Sequence, residues 1–367
     1  MTDIRIIKVA GSPYEMGFQY GSSCRELIQM FIGVHYEILL YRSAEEARTF
    51  LQKQDVRELA SQFIPYLKAS FSSIWEEMKG IAKGAQCEIE DIVAANCFCD
   101  FQDFFFPRLA GERLYGCTTF AVAPFRSTTG KCLTGQTFDL PSMFEDYGIL
   151  LFGKPSGGPA FACYTLAGVV CCVGLSANGV AVVINRLTAS DGQPGIPFPV
   201  IAHSILQAPN TSKALNNVLQ SRRASGLMYI ITDGDGNIFP VETTATDYTL
   251  LELREGLIIH TNHYVSEELQ KAASYHKPFA ANTIARLYRA YNFLQMKDKI
   301  GQDELIGIMS DHLNYPTSIC RHSDESIDPR LQDKTIAAFI AHPGERKILI
   351  CRGNPCCGEF TEFTLDW

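Results

Sequence analysis

The sequence predicts an α+β fold with a helical N-terminal segment followed by many antiparallel strands with helices among them. Three observations carry this. Val56, Leu59, Phe63, Leu67, Phe71, Ile74, Met78 and Ile81 step by three and four, the spacing of one apolar helix face. From Cys117 onward the chain changes to short apolar runs separated by turn residues, the pattern of strands. Helical and strand-like stretches come in blocks, which favours layered α+β over a doubly wound parallel sheet.

Taken in order, residues 13–41 open on Pro-Tyr-Glu-Met-Gly and keep apolar positions at helical spacing. Within 56–81, Pro65 is expected to kink the helix, and Gly80 and Gly84 to weaken its end. A shorter helix is expected over residues 88–100, so the chain reads mostly helical to about residue 110. CTTFAVA, RSTTG and KCLTGQTFD then read as strand, turn and strand, a hairpin. ILLFGK, PAFACYTL, VVCCVGL and VAVVINRL continue as strands, with Ser176-Ala177-Asn178-Gly179 a tight turn. Helices are expected over 199–207 and 212–220. Two strands flank Asp233-Gly-Asp-Gly-Asn237. LIIHTNH, a helix over 283–295, and the strands TIAAFIAH and KILICRG complete the chain. No internal repeat or linker-like stretch interrupts it, so residues 1–367 are expected to form one domain.

Composition narrows the function classes. With 46% hydrophobic and 20% charged residues, the chain is ordinary for a globular protein. Its net charge of −8, without a basic run, speaks against nucleic acid as the main partner. No apolar stretch reaches membrane-spanning length, and the first residues lack the pattern of a secretory signal. A cytoplasmic protein without membrane partners is expected. The thirteen cysteines contain no CxxC pair and are expected to be mostly reduced, buried small hydrophobes.

Several motifs fall away on chemistry. Gly111-x4-Gly116-Cys117-Thr118 lacks the lysine of a phosphate-binding loop, and a strand follows where that motif needs a helix. Asp233-Gly-Asp-Gly-Asn carries Ile238 where a calcium loop requires glycine, leaving a hairpin turn. His260 and His263 are expected on opposite faces of a strand, which disfavours a shared zinc ion. No GxSxG elbow occurs.

Cys117 remains. It sits between Gly116 and two hydroxyl residues, where helical texture gives way to strands. Alone, Gly-Cys-Thr-Thr also fits the start of any small-residue strand. A cut before Cys117 would unite a thiol and an α-amine on one residue. An α-amine titrates near pH 7.7–8.0, close to the working pH a general base needs, and thiol activation by an N-terminal amine is an established pattern.

The blocks GSPYEMGFQYG, MKGIAKGAQCEIEDIV, YGCTTFAV, LTGQTFDL, LAGVVCCVGLSANGVAVVINRL, LIIHTNHY and LNYPTSICR, in this order, resemble the acyl-coenzyme A:6-aminopenicillanic acid acyltransferase family (isopenicillin N acyltransferase-like), peptidase family C45 of the N-terminal-nucleophile (Ntn) hydrolases. The resemblance implies a four-layer αββα sandwich and a precursor that cuts itself at Gly116–Cys117 into a mostly helical 1–116 chain and a catalytic 117–367 chain that stay together. It implies Cys117 as nucleophile and Asp139 as the anion orienting its amine. It assigns Asn262 as an oxyanion-hole donor and Arg321 as a fixed positive charge near the thiolate or a substrate carboxylate. Thr119, Ser225 and Ser318 stand as supporting residues, the serines matching ones tied to self-cleavage. The expected substrates are small-molecule acyl amides or acyl thioesters, with no metal and no cofactor unless acyl-coenzyme A enters as substrate. The acyl group would pass to water or an amine. A dedicated hydrolase of small N-acyl amines, such as β-alanyl amine conjugates or acyl-homoserine lactones, is an alternative, as is an uncleaved, non-catalytic binding protein. The family's Asn-Trp before the aspartate is Thr137-Phe138 here, which changes the pocket wall and leaves the acyl group open. The peroxisomal tail of the penicillin producers is absent, which weighs against penicillin biosynthesis itself.

Overall fold

All seven residues of β2 (Gly116–Val122), the strand that carries Cys117, are buried. Its run of small and apolar residues shows no polar alternation because neither face of the strand meets water. In the computed structural model, which describes residues 4–101, 116–274 and 277–366, this strand lies inside the second of two sheets. The first sheet runs in the order β1 (Arg5–Gly11), β4 (Gly148–Pro155), β5 (Phe161–Leu166), β6 (Val173–Ser176), β7 (Ala181–Arg186), β8 (Leu227–Thr232), β9 (Ile238–Thr243) and β10 (Tyr248–Leu250). The second runs β11 (Leu257–His260), β2, β3 (Leu133–Pro141), β12 (Asp333–His342), β13 (Lys347–Arg352) and β14 (Thr361–Thr364). Pairings are antiparallel except for parallel β1–β4.

Helices cover both outer faces. In chain order they are α1 (Pro13–Ser23), α2 (Arg25–Ala47), α3 (Lys53–Ser61), α4 (Ile64–Ser70), α5 (Ser72–Ala85), α6 (Ile89–Asn96), α7 (Phe198–Leu206), α8 (Thr211–Gln220), α9 (Glu267–Gln270), α10 (Lys277–Leu294) and α11 (Gln302–Met309). α1, α7 and α8 pack on the first sheet; α10 and α11 pack on β11, β2 and β3 of the second. The sheets meet each other through side chains such as Phe138 of β3 and Tyr164 of β5, whose rings lie 5.0 Å apart. The result is the expected four-layer αββα order.

The departures from expectation have local causes. Arg5–Gly11, which the sequence left unassigned, forms a strand because it adds to the edge of the first sheet beside β4. Pro65 does not kink one long helix. It sits in the first turn of α4, where a missing N–H costs nothing, and the 56–81 stripe is divided among α3, α4 and α5. Asn210 caps α8 by accepting from the Lys213 N–H at 2.9 Å. Asp233 accepts from the Asp235 and Asn237 N–H groups, which close the β8–β9 turn. The short strands β10 and β14 and the helix α11 escaped the sequence reading. Gly111 and Tyr115 lie outside the described residues.

Gly80 and Gly84 are packing devices rather than helix-weakening defects. A Cβ on Gly84 would stand 2.4 Å from the Phe18 carbonyl oxygen, and one on Gly80 would stand 2.2 Å from that of Tyr14. Gly17 and Gly21 of α1 face α5 in the same way, so two backbones touch without side chains between them. Gly84→Ala should therefore destabilise the protein by about 2–3 kcal/mol, although alanine is the better helix former. Urea denaturation checks this, and an unchanged midpoint would contradict it.

Candidate active site

Neighbouring side chains of β2 point to opposite faces of its sheet. Thr119 Oγ1 donates to Asn185 Oδ1 of β7 at 2.5 Å, so Thr119 faces the first sheet, and Cys117, two residues earlier, shares that side. Cross-strand pairing sets Cys117 opposite Phe138 and Thr119 opposite Gln136 of β3. Gln136 Nε2 reaches Cys117 Sγ at 3.8 Å while its Oε1 accepts from the Ile184 N–H at 2.7 Å. The thiol is thus held between the sheets, walled by Phe138 and approached by an amide anchored on β7.

The residue before it is hemmed in by charge. Gly116 pairs with Asp139. A Cβ at 116 would lie 2.9 Å from Asp139 Oδ2 and 3.4 Å from Arg321 Nη2. Glycine therefore lets a carboxylate and a guanidinium approach the peptide bond between residues 116 and 117. Arg321 Nε lies 3.8 Å from Asp139 Oδ2. Thr335 Oγ1 donates to Asp139 Oδ1 at 2.7 Å and accepts from the Arg321 N–H at 2.9 Å. Asp139 Oδ2 is buried with no hydrogen-bond partner among the described residues. Burial raises the carboxyl's pKa against the opposing pull of Arg321 and Arg286.

Asn262 meets Cys117 by its oxygen. Its Oδ1 accepts from the Cys117 N–H at 3.0 Å and from Arg286 Nη2 at 2.8 Å, while its Nδ2 donates to the Arg186 carbonyl at 3.1 Å. The guanidinium can only donate, which fixes the amide's orientation. This differs from the sequence-based expectation of an amide N–H aimed at an oxyanion.

Arg286 is the largest omission of the sequence reading. It reaches from α10 into the site, fully buried, with Nη1 on the Cys117 carbonyl at 2.8 Å and Thr118 Oγ1 at 3.1 Å. Its Nε donates to Asn282 Oδ1 at 3.1 Å. Burial pushes its pKa down to about 10, against the upward pull of Asp139. A signal existed in the sequence. Thr283, Arg286, Leu287, Ala290 and Leu294 share one buried helix stripe, and an arginine on such a stripe needs buried acceptors.

Thr119 opens a second network. Asn185 Oδ1 also faces His260 Nδ1 at 3.2 Å, and His260 Nε2 faces Glu242 Oε1 at 2.8 Å. Glu242 further accepts from the Val265 and Ser266 N–H groups. Burial would raise the Glu242 pKa, but these bonds outweigh it and hold the carboxyl low. β11 ends at His260, so His260 and His263 do not alternate across a strand as expected. Their rings lie 6.5 Å apart with planes 21° from parallel. Burial pushes His263 down to about 4, and its Nδ1 lies 3.1 Å from Thr283 Oγ1. Two sequence-derived candidates stand apart from the thiol's own contacts: Ser225 Oγ donates to Asp100 Oδ1 at 2.5 Å, and Ser318 Oγ to the Cys320 carbonyl at 2.5 Å.

Burial first, and then the Asp139 carboxylate, push the Cys117 thiol well above the ordinary cysteine range. With residues 116 and 117 joined, the Cys117 nitrogen is an amide, so the thiol must lose its proton to another group. A cavity of about 650 Å³ is lined by His263, Tyr264, Leu287 and Tyr291, and Cys117 is not among its lining residues. All thirteen cysteines are free, and ten are buried.

A family model described as acyl-coenzyme A:6-aminopenicillanic acid acyl-transferase matches residues 127–356, a span that holds Asp139, Asn262, Arg286 and Arg321 and begins after Cys117. The chain is 24% identical over 347 residues to the acyl-coenzyme A:6-aminopenicillanic-acid-acyltransferase 40 kDa form of Emericella nidulans, covering 94% of this chain and 91% of that protein. It is 25% identical over 312 residues to an uncharacterized protein of Archaeoglobus fulgidus, covering 74% of this chain and 52% of that one. Among solved structures, a conjugated bile acid hydrolase from Clostridium perfringens aligns with a TM-score of 0.44 at 10% identity, covering 68% of this chain and 97% of that one. Penicillin V acylase from Agrobacterium tumefaciens aligns with a TM-score of 0.41 at 11% identity, covering 68% and 86%.

Proposed function

The chain belongs to the acyl-coenzyme A:6-aminopenicillanic acid acyl-transferase family, and from that premise we propose that it is a self-processing acyltransferase or amidohydrolase with Cys117 as nucleophile. The supporting observation is the crowding of chemistry at one peptide bond. Asp139 Oδ2 and Arg321 stand against Gly116, and the Cys117 nitrogen is held by Asn262.

In the cut, Cys117 Sγ attacks the Gly116 carbonyl carbon. Asp139, whose proton affinity is raised by burial, takes the thiol proton. The C–N bond breaks as the proton passes to the leaving nitrogen, giving a thioester and a free α-amine. Water opens the thioester, releasing the Gly116 carboxylate and restoring the thiol. Asn262 Oδ1 then holds the new amine, which becomes the base of later turnovers. Asp139 balances its positive form.

In turnover the thiolate attacks the carbonyl of an acyl amide or acyl thioester, the leaving group departs with a proton, and the thioester on Cys117 passes its acyl group to water or an amine. One hydrogen of Asn262 Nδ2 is committed to the Arg186 carbonyl. An oxyanion would therefore draw on the second, a donor worth roughly 3 kcal/mol in a preorganised site. Phe138, opposite Cys117 and tilted against Tyr164, forms part of the acyl wall.

Intact-mass analysis of the purified protein should give two chains divided after Gly116. A single chain, inert toward N-acyl amides, would sink the proposal in favour of a binding protein. The dedicated-hydrolase alternative is separated by supplying an N-acyl amine with and without an acceptor amine, where new amide in excess of free acid means transfer.

A further inference from the structure

We propose that His312, Cys320, His322 and Cys356 form a structural zinc site that holds the segment delivering Arg321. One ligand atom from each of the four lies within 4.8 Å of all the others. The three separations measured from His322 Nε2 fit a tetrahedron closely. With Zn–S about 2.3 Å and Zn–N about 2.0–2.1 Å, tetrahedral angles place two nitrogens about 3.3 Å apart, and a sulfur and a nitrogen about 3.6 Å apart. His312 Nε2 and His322 Nε2 are 3.1 Å apart, Cys320 Sγ and His322 Nε2 3.6 Å, and Cys356 Sγ and His322 Nε2 3.5 Å. Two imidazole nitrogens at 3.1 Å, with two sulfurs beside them, form a set of soft and borderline donors suited to one such cation.

The surrounding polar groups support the same reading. Asn354 Nδ2 donates to Cys320 Sγ at 3.3 Å and to the Arg321 carbonyl at 2.7 Å, the kind of outer bond that orients a metal-binding thiolate. Backbone bonds brace the ligand-bearing loops: Cys320 N–H to the Asp311 carbonyl at 3.0 Å, and His322 N–H to the Pro316 carbonyl at 2.9 Å. Two thiolates neutralise a divalent zinc ion. On binding, the thiol protons pass to solvent and the imidazoles stay neutral. The cluster lies away from Cys117, and its reach into the active site is through the chain: Cys320 and His322 flank Arg321, whose N–H is bonded to the Thr335 hydroxyl that also holds Asp139.

The full-length protein, stripped with a chelator under reducing conditions and titrated with cobalt(II), should take up one ion per chain with the intense visible bands of tetrahedral cobalt thiolate, and zinc should displace it. Cys356→Ser and His312→Ala, both at exposed ligands and so least disruptive to folding, should weaken uptake by at least about 100-fold. Cys357→Ser should leave it intact. Zinc should raise the thermal midpoint of the wild type and not of the two ligand variants. Absence of stoichiometric uptake, equal uptake by wild type and variants, or a Cys320–Cys356 disulfide in protein purified under reducing conditions would each overturn the proposal. None of these readouts depends on whether the chain is cut or active.

Discussion

Cys117→Ala should remain a single chain of 367 residues and lose at least about 10⁴-fold in acyl transfer or hydrolysis, the scale of removing a nucleophile that acts as part of a unit. The fold should survive, because the substitution removes one sulfur from a site that keeps its backbone bonds to Asn262 and Arg286. An intact-mass spectrum and a far-ultraviolet spectrum on the same sample separate loss of chemistry from loss of structure. Cys117→Ala protein that still divides after Gly116 would eliminate the self-cleavage mechanism. Retained turnover would eliminate the thioester.

Arg286→Met should cost roughly 3–5 kcal/mol of stability, since breaking a buried charged network leaves its partners uncompensated. The substitution keeps most of the side-chain volume but strips donors from the Cys117 carbonyl, Thr118 Oγ1, Asn262 Oδ1 and Asn282 Oδ1. It also removes a positive charge that helps offset the buried Asp139. Urea denaturation on the Cys117→Ala background, where every molecule should be one chain, is the clean measurement. Arg286→Lys should recover only part of the loss, because an ammonium cannot reproduce the planar fork that bridges Cys117 and Asn262. A cost below about 1 kcal/mol for the methionine variant would show the network to be dispensable.

Much of this architecture was legible because local pattern and tertiary role agreed. The strands from Cys117 onward carried their own turn residues, and β2 through β9 follow that punctuation. The site was legible where its residues lie in distinctive blocks: Asp139 and Arg321 meet at Gly116 although 182 positions separate them in sequence. What escaped was set by contacts that periodicity does not encode. β1 looks like a short apolar lead-in, and becomes a strand only through pairing with β4. Arg286 looks like an ordinary helix charge until its stripe is known to face β2. Asn262 was assigned its donor role through the family resemblance, whereas its orientation is dictated by that unseen guanidinium. The four proposed zinc ligands occupy positions 312, 320, 322 and 356, a spacing unlike any compact zinc motif. They converge only because the loop after β13, which carries Asn354 and Cys356, packs against the one that carries Arg321.

The pairing of β1 with β4 has a consequence for the life history of the molecule. β1 precedes the proposed cut and β4 follows it, so one sheet is assembled from both sides of that bond. Before the cut, refolding is a first-order process, indifferent to protein concentration. Afterwards the same sheet requires two molecules to find each other, and recovery from denaturation becomes second order and fails on dilution. A protein that folds once as a monomer would thereby be committed, by a single hydrolysed bond, to an architecture it cannot readily rebuild alone.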